Sequence, residues 1–285
     1  MILLKDILVE AKLYSYTTKE LLDKILNFEG KTMLFVDTET TGLEPNVSYE
    51  QITEISALAI DGSTMEPAGE FSTKVNLTWR TKNLLNDPQS KQALAFDRAN
   101  QRFLRKYKKP ITHPRELLQK THYFDTKPGE KKMEENDALI NLSEFIKKYP
   151  NPILIAHNAT FDMKTLQARR KKYNLPPMER YPVLDTVKVS RFFFIPLLLS
   201  LEGNQEAKEF LESILAKTKF KSYSSSLGKL ASAFKIKIEG WHQASEDVKM
   251  LFQVLQKLIE YLKANKDVDI RKQQGIQAKR WRRMK

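Results

Sequence analysis

The sequence predicts an α/β fold with a mixed central sheet flanked by helices. Three strand-like segments come early, at Met33–Val36, Gln51–Ile60 and Glu70–Leu77, and later strands alternate with helices. The second and third segments alternate apolar and polar residues, and Asp61–Ser63 between them reads Asp-Gly-Ser, which indicates a hairpin turn. We therefore expect the first three strands to form an antiparallel meander.

Periodicity and short apolar runs predict the remaining elements. Short buried strands are expected at Ile153–Ala156 and Val183–Leu184. Helices are expected over Asn136–Tyr149, Asp162–Tyr173, Thr186–Leu199, Gln205–Lys217, Ser225–Phe234 and Ala244–Ala264. The basic run Arg169–Lys172 is interpreted as a solvated helix face. Residues 80–135 are rich in Lys, Arg, Gln and Asn and are interrupted by prolines, so they are predicted to form an irregular, partly helical insertion.

Composition narrows the classes of function. The chain has 285 residues, is 41% hydrophobic, and carries 48 Lys and Arg against 35 Asp and Glu, a net charge of +13. This excess favours a polyanionic partner, either nucleic acid or an acidic membrane surface. The absence of cysteine excludes disulfides, thiol nucleophiles and cysteine-ligated metals.

Neither a membrane span nor a signal peptide is expected. Lys5 and Asp6 follow a very short apolar run, which does not fit an ordinary signal peptide. The most apolar stretch, Phe192–Leu201, is about half the length of a membrane span and contains Pro196, so a buried helix start or core loop is expected there. We therefore expect a soluble cytoplasmic protein.

Three regions are expected along the chain. Residues 1–30 read as an N-terminal helical extension, residues 31–265 as the main domain containing the insertion, and residues 266–285 as a basic tail. The segment Ile270–Lys285 carries seven Lys and Arg and no acidic residue, with Trp281 among its arginines. This combination suits phosphate contact with base stacking, and a disordered solubilising tail is the alternative.

Two carboxylates stand where the first strand-like segment ends. Asp37 and Glu39 are two positions apart, so in a strand they project from the same face and repel each other. A divalent cation such as Mg²⁺ or Mn²⁺ would neutralise them, whereas an isolated pair of this kind is often only solvated. Two more carboxylates are expected beside predicted helix starts, Asp162 after a short strand and Asp247 in the last long helix. Helix starts and strand ends are where open α/β sheets collect their active-site groups.

Three segments, in chain order, resemble the three motifs of the DEDDh 3′–5′ exonucleases, a family that includes the proofreading subunit of bacterial replicative polymerase, ribonuclease T and oligoribonuclease. They are D-x-E-T-T-G at Asp37–Gly42, H-N-x-x-F-D at His157–Asp162 and H-x-A-x-x-D at His242–Asp247. Weaker family-like features are Gln51–Ile55 and Leu184–Thr186. The resemblance covers roughly residues 32–262 and implies a ribonuclease H-like exonuclease fold.

The resemblance also implies roles for individual residues. Two Mg²⁺ or Mn²⁺ ions would be held by Asp37, Glu39, Asp162 and Asp247, and His242 would be the general base. Residues implied to bind substrate are Thr40, Leu43, His157, Asn158 and Phe161. His157 and Asn158 could instead fix their loop, and Phe161 could instead pack in the core. Glu54 is either a neighbour of the site or an ordinary strand charge.

The resulting functional expectation is a metal-dependent 3′–5′ exonuclease that releases 5′-mononucleotides from single-stranded 3′ ends, with DNA favoured. An exoribonuclease that trims RNA 3′ ends is the alternative within this class. A non-catalytic nucleic-acid-binding module is a different alternative, and the intact set of four carboxylates and a histidine argues against it. A proofreading factor would use the N-terminal helices or the tail to bind a polymerase or another replication partner.

Overall fold

A computed structural model describes residues 17–42, 50–108, 110–125, 131–178, 181–201, 203–216, 222–237 and 243–284. Five strands form the main sheet: β1 (Thr32–Thr40), β2 (Ile52–Asp61), β3 (Pro67–Lys74), β4 (Pro152–Ala156) and β5 (Val183–Asp185). Their order is β3-β2-β1-β4-β5. The first three strands pair antiparallel, and β4 and β5 continue from β1 in parallel. The predicted meander and the mixed sheet are both confirmed.

Helices surround this sheet. They are α1 (Thr18–Lys24), α2 (Trp79–Asn86), α3 (Lys91–Tyr107), α4 (Pro114–Lys120), α5 (Glu135–Lys147), α6 (Ala159–Lys172), α7 (Thr186–Val189), α8 (Ile195–Ser200), α9 (Gln205–Ser213), α10 (Leu227–Ala233), α11 (Ala244–Ala264) and α12 (Arg271–Met284). A π-helical turn, Ser190–Phe194, joins α7 to α8, and a small hairpin of β6 (Leu215–Ala216) and β7 (Ser222–Tyr223) follows α9. Within the described part of the chain, no helix is both long and apolar enough to cross a membrane.

The central strand β1 is buried on both faces, and this decides where its two carboxylates point. Met33 and Phe35 belong to the core cluster that contains Leu251 of α11 and its apolar neighbours. The alternate residues of β1 belong to the opposite cluster, with apolar residues of α5 and α6. Because side chains alternate along a strand, Asp37 and Glu39 continue the α11 face, while Thr38 continues the face of α5 and α6.

The region predicted to be irregular is more regular than expected. Helices α2, α3 and α4 occupy most of residues 79–120. Side-chain caps begin these helices: the hydroxyl of Ser90, for example, accepts the N–H of Ala93 at 3.1 Å. The returning chain pairs with the sheet edge, since Val75 bridges to Met133 in parallel register.

Two predicted helices differ from the observed ones. The segment Thr186–Leu199 is interrupted by the π-helical turn, which changes the hydrogen-bonding register within it. The segment Gln205–Lys217 ends as a helix at Ser213 because Leu215 and Ala216 pair as a strand with Ser222 and Tyr223. Both departures depend on contacts made by residues distant in sequence, which local periodicity does not report.

The C-terminal helix α12 is attached at its first turn. Ile270 is buried, and the buried side chain of Gln274 donates to the carbonyl of Phe192 at 3.0 Å. Phe192 lies in the π-helical turn. The first turn of the basic tail is therefore packed against the main domain.

The prediction of a solvated Arg169–Lys172 face is wrong for its first two residues. Arg169 and Arg170 are buried. The guanidinium of Arg169 donates to both carboxylate oxygens of Glu135, at 2.7 and 2.6 Å, and to the carbonyl of Glu50 at 2.5 Å. The same carboxylate accepts the N–H of Ile52 at 3.0 Å. This buried pair joins α5, α6 and the start of β2.

We expect Glu135→Gln to lower the free energy of unfolding by about 3–5 kcal/mol, because it leaves the charge of Arg169 buried without its counterion. Urea unfolding followed by circular dichroism measures the change. Lys171→Gln, at an exposed position of the same helix, is the matched control and should lie within about 0.5 kcal/mol of the parent protein. A loss below about 1 kcal/mol in Glu135→Gln would contradict this account of the pair.

Candidate active site

Three carboxylates meet near the end of β1. One carboxylate oxygen from each of Asp37, Glu39 and Asp247 can be chosen so that all three lie within 4.8 Å of one another. Asp37 and Glu39 come from the strand, and Asp247 comes from the first turn of α11. This contact follows from the alternation along β1, since the strand presents both of its carboxylates to the helix that carries Asp247. Residues far apart in the chain thus form one acidic cluster.

Asp162 reaches the same strand from the other face of the sheet. It lies in the first turn of α6, and its Oδ1 accepts both the backbone N–H of Thr38, at 3.1 Å, and the hydroxyl of Thr38, at 2.8 Å. Thr38 stands between Asp37 and Glu39 in the sequence. The four predicted metal ligands therefore gather at the end of one strand, with Asp162 held in place by Thr38.

The electrostatic cost of this cluster appears in its pKa values. Burial is the largest cause that raises the pKa of Asp37 well above its ordinary value, and the charges of Asp162, Glu39 and Asp247 add to it. Burial followed by the charge of Asp247 raises the pKa of Glu39 to about 9. Burial also raises the pKa of Asp162 to about 7, although the hydrogen bonds from Thr38 act in the opposite direction. The cluster therefore favours either protons or cations.

These residues fit a divalent cation. Their donors are carboxylate oxygens, which Mg²⁺ and Mn²⁺ prefer, and three of those oxygens are close enough to share an ion. Neither Asp37, Glu39 nor Asp162 forms an ion pair with any residue that the structure describes. A bound cation would stabilise the charged carboxylates against both burial and their mutual repulsion, the two causes that raise the pKa values of Asp37 and Glu39.

Glu54 lies beside this cluster. It is buried, and it stands directly opposite Glu39 in the β1–β2 register. Its charge contributes to the raised pKa of Glu39. On its other side it pairs in register with Lys74 of β3, whose ammonium donates to the carbonyl of Asp125 at 2.7 Å. Glu54 is therefore a neighbour of the site rather than a strand charge far from it.

The loop between β4 and α6 is fixed by hydrogen bonds. The Nδ1 atom of His157 lies 2.9 Å from the hydroxyl of Thr186, and burial lowers the pKa of His157 to about 4. The backbone N–H of Asn158 donates to Oδ1 of Asp185 at 3.2 Å, and Asn158 adopts a left-handed conformation with φ 70°. A neutral, partly buried imidazole fits the loop-fixing role better than direct contact with substrate, whereas the exposed side chain of Asn158 is accessible.

The chain leaving β1 makes a tight turn. Thr40 donates through its hydroxyl to the carbonyl of Gly42 at 2.5 Å, and Thr41 exchanges hydrogen bonds with Gln51. A β-carbon at Gly42 would lie 2.2 Å from Oε1 of Glu50, so a larger residue here would displace the carboxylate of Glu50. Phe161 is only half-buried.

Leu43 and His242, two residues with roles implied by the resemblance, lie outside the described residues. Two residues that contribute to the site were missed by the sequence reading: Thr38, which holds Asp162, and Asp185, which accepts from the loop at Asn158. Asp185 lies inside the Leu184–Thr186 feature, which was a signal for it. Thr38 carried no such signal, because its role depends on a helix that starts more than a hundred residues later.

The chain shares its fold with exonuclease I. An E. coli exonuclease I structure in complex with a dT13 oligonucleotide aligns with a TM-score of 0.50 at 17% identity, over 81% of this chain and 43% of that one. A second E. coli exonuclease I structure, in complex with a 5cy-dA13 oligonucleotide, gives a TM-score of 0.48 at 17% identity, over 81% and 42% of the two chains. The alignment with the dT13 complex, together with the mixed sheet, shows that this chain has the ribonuclease H-like exonuclease fold. The aligned chain spans less than half of exonuclease I.

Part of the chain is also similar in sequence to a bacterial DNA polymerase. The PolC-type DNA polymerase III of Streptococcus agalactiae is 26% identical over 127 residues, which make up 45% of this chain and 7% of the polymerase. No family model matches the chain. The polymerase match is thus confined to a small part of a much longer protein.

We expect Asp37→Asn to raise the melting temperature in the presence of EDTA, and to raise it more at pH 8 than at pH 5. A raised carboxyl pKa means that the folded protein binds more protons than the unfolded chain between about pH 4 and pH 9, so stability falls as pH rises through that window. Removing one carboxylate removes part of this loss. A gain of about 1 kcal/mol corresponds to about 2–4 °C.

Differential scanning calorimetry at both pH values measures this difference. Asp267→Asn, at an exposed position, is the control and should change little at either pH. Addition of Mg²⁺ should favour the parent protein over Asp37→Asn, because the parent retains the ligand. A melting temperature of Asp37→Asn that is lower than the parent's at pH 8 in EDTA would contradict the described repulsion.

Proposed function

We propose that the protein is a metal-dependent 3′–5′ exonuclease of the DEDDh type that releases 5′-mononucleotides from single-stranded ends. The observation that carries this proposal is the carboxylate cluster of Asp37, Glu39 and Asp247, with Asp162 bonded to the same strand. The ribonuclease H-like exonuclease fold supports it. The three sequence motifs contribute all four of these carboxylates in chain order.

In this proposal the four carboxylates would hold two divalent cations, Mg²⁺ or Mn²⁺. Such ions supply charge stabilisation to a phosphate undergoing in-line attack. The chain's own residues hold those ligands rigidly: β1 fixes Asp37 and Glu39, the first turn of α11 fixes Asp247, and Thr38 fixes Asp162. His242, which lies two residues before the start of α11 in the sequence, would accept the proton of the attacking water.

The bound strand would end at the turn that follows β1. We propose that Thr40 and Leu43 lie beside the terminal nucleotide and that Phe161, which is half-buried, packs on its sugar or base. Asn158 is exposed on the loop that begins α6, and we propose that it contacts the same nucleotide. His157 supports this loop through Thr186 rather than through substrate.

Single-stranded DNA is the favoured substrate. The similar exonuclease I structures contain DNA oligonucleotides, and the sequence relative is a DNA polymerase. The polymerase match also supports a proofreading or replication-linked role, in which this chain would act together with a polymerase. An exoribonuclease would give the same products from RNA, so the comparison of both sugars belongs in the first assay.

We expect 5′-labelled single-stranded DNA to yield a ladder of products shortened from the 3′ end, with 5′-mononucleotides accumulating and EDTA abolishing the reaction. Asp162→Asn should lose nearly all hydrolysis, because it removes a charged metal ligand. The fold should be retained, because the side-chain oxygen of Asn can still accept the hydrogen bonds from Thr38. Gel electrophoresis at single-nucleotide resolution, with matched DNA and RNA oligomers, provides the measurement. Cleavage of circular single strands, or full activity in Asp162→Asn, would overturn the proposal.

His242→Ala should slow turnover by about a hundred- to ten-thousand-fold while changing oligonucleotide affinity little, because a positioned general base contributes that much to rate. Raising the pH should restore part of the rate, since hydroxide needs no proton acceptor. Single-turnover rates between pH 6 and pH 9 measure this. Lys266→Ala, at an exposed position after α11, is the control. A pH–rate profile identical to that of the parent would remove His242 from the mechanism.

A further inference from the structure

Helix α3 carries a stripe of cations on one face. Lys91, Arg98, Arg102 and Arg105 are all exposed, and their spacing of seven, four and three residues places them within about 60° of arc on a helix. The stripe extends about 21 Å along the helix axis, at 1.5 Å per residue. It is opposite the side on which Ala93 and Phe96 are buried.

These four charges are not balanced by neighbours. None of them forms an ion pair or a hydrogen bond with a side chain in the described ranges, whereas lysines of other helices do, such as Lys120 with Glu116 at 3.1 Å. Between Trp79 and Asp125 the sequence has eleven Lys and Arg against four Asp and Glu, a surplus of seven within a net charge of +13. The insertion therefore holds about half of the chain's excess positive charge.

An exposed aromatic ring accompanies this charge. Trp79, at the start of α2, has 61% of its surface exposed, and the guanidinium of Arg80 lies 5.3 Å from the centre of its ring. This exposure leaves the ring accessible to a partner. An aromatic ring beside cations is the combination that binds single-stranded nucleic acid, since bases stack on the ring while phosphates meet the charges.

Hydrogen bonds join the start of α2, where Trp79 lies, to the end of β1. The buried side chain of Gln51 accepts from the N–H of Thr78 at 2.7 Å and from the hydroxyl of Thr81 at 2.8 Å, on either side of Trp79. The backbone N–H of Gln51 in turn donates to the hydroxyl of Thr41 at 3.0 Å. Thr41 is the first residue after β1, the strand that carries Asp37 and Glu39. The start of α2 is thus fixed to the segment where the carboxylates lie.

We propose that the insertion formed by α2 and α3 binds the single-stranded part of the substrate upstream of the end that is hydrolysed. The stripe of Lys91, Arg98, Arg102 and Arg105 contacts successive phosphates, and Trp79 stacks with a base. This inference rests on the proposed function for the substrate class. A linear series of exposed cations on α3, together with an exposed ring at the start of α2, matches a polynucleotide, because phosphates meet the charges while a base stacks on the ring. An acidic protein offers no base for that ring.

The test measures binding rather than hydrolysis. A dT20 oligonucleotide is titrated with the full chain in EDTA at several salt concentrations. The fourfold variant Lys91→Gln, Arg98→Gln, Arg102→Gln, Arg105→Gln should lower the slope of log affinity against log salt by about 2–3, since each phosphate contact on a single strand contributes about 0.7. Its affinity at low salt should fall by at least about tenfold.

The matched control removes equal charge elsewhere. Lys208, Lys229, Lys263 and Lys266 are exposed on or just after α9, α10 and α11, and their fourfold change to Gln should leave the slope within about 0.5 of the parent's. If both fourfold variants lose the same slope, binding follows net charge alone and the inference is wrong. If the α3 variant unfolds at a lower temperature than the parent, Arg98→Gln with Arg102→Gln gives the same test at half the slope change.

The ring is tested separately. Trp79→Ala should weaken dT20 binding by about five- to 150-fold, and Trp79→Phe should retain most of the affinity, because stacking needs a ring rather than a particular side chain. Equal affinity of Trp79→Ala and the parent would remove the ring from the interface.

Two further readouts separate the outcomes. Hydrolysis of a dinucleotide, which lacks the upstream nucleotides that α3 is proposed to bind, reports on the candidate active site of the parent protein alone. A parent that hydrolyses the dinucleotide while the α3 variant keeps the parental salt slope would overturn this inference and leave the proposed function standing. The proposed function alone would be overturned if the parent protein hydrolyses neither the dinucleotide nor dT20 in the presence of Mg²⁺, while the α3 variant still shows the reduced slope of log affinity against log salt. If the α3 variant binds phosphatidylserine–phosphatidylcholine vesicles more weakly than the parent protein but binds dT20 equally well, the stripe belongs to a membrane-binding surface and the inference is wrong.

Discussion

Repulsion among carboxylates at the end of β1 is the constraint on which the rest of the structure depends. Asp37 and Glu39 are held together on one face of a strand, and Asp247 and Asp162 approach them from two helices. Burial and mutual charge raise the pKa values there, so the apo cluster opposes folding at neutral pH. A central strand packed on both faces, with a helix anchored at each side, resists the spreading that would relieve this repulsion.

The buried cation Arg169 is paired with a carboxylate that does not belong to this cluster. Arg169 is matched to Glu135 and to the carbonyl of Glu50, where it fixes the start of β2. An arginine placed among the site carboxylates would neutralise them and compete with a metal ion. Because Arg169 is already paired, it stabilises the frame of the site while the site itself remains acidic.

The insertion connects this acidic site to the basic surface. The side chain of Gln51 bonds to Thr78 and Thr81 at the start of α2, and its backbone bonds to Thr41 at the end of β1. Positive charge on α3 and negative charge at the carboxylates are thus separate but held in a fixed relation. In the proposed function, a polyanion would meet the basic surface and cations the acidic one, so the two would not compete for the same groups.

The sequence alone determined the meander and the later alternation of strands with helices, because both depend on local patterning, such as alternation in β2 and helical periodicity in α11. The four carboxylates were predicted from three motifs that are each short and local in the sequence. Only the tertiary structure decided what those residues contact. Thr38 holds Asp162 across the sheet, and Arg169 is buried although its Arg-Arg-Lys-Lys run reads as solvated. The π-helical turn and the strand at Leu215 also follow from distant partners. Local propensity cannot report a partner that lies tens of residues away, because burial and hydrogen bonding are set by packing.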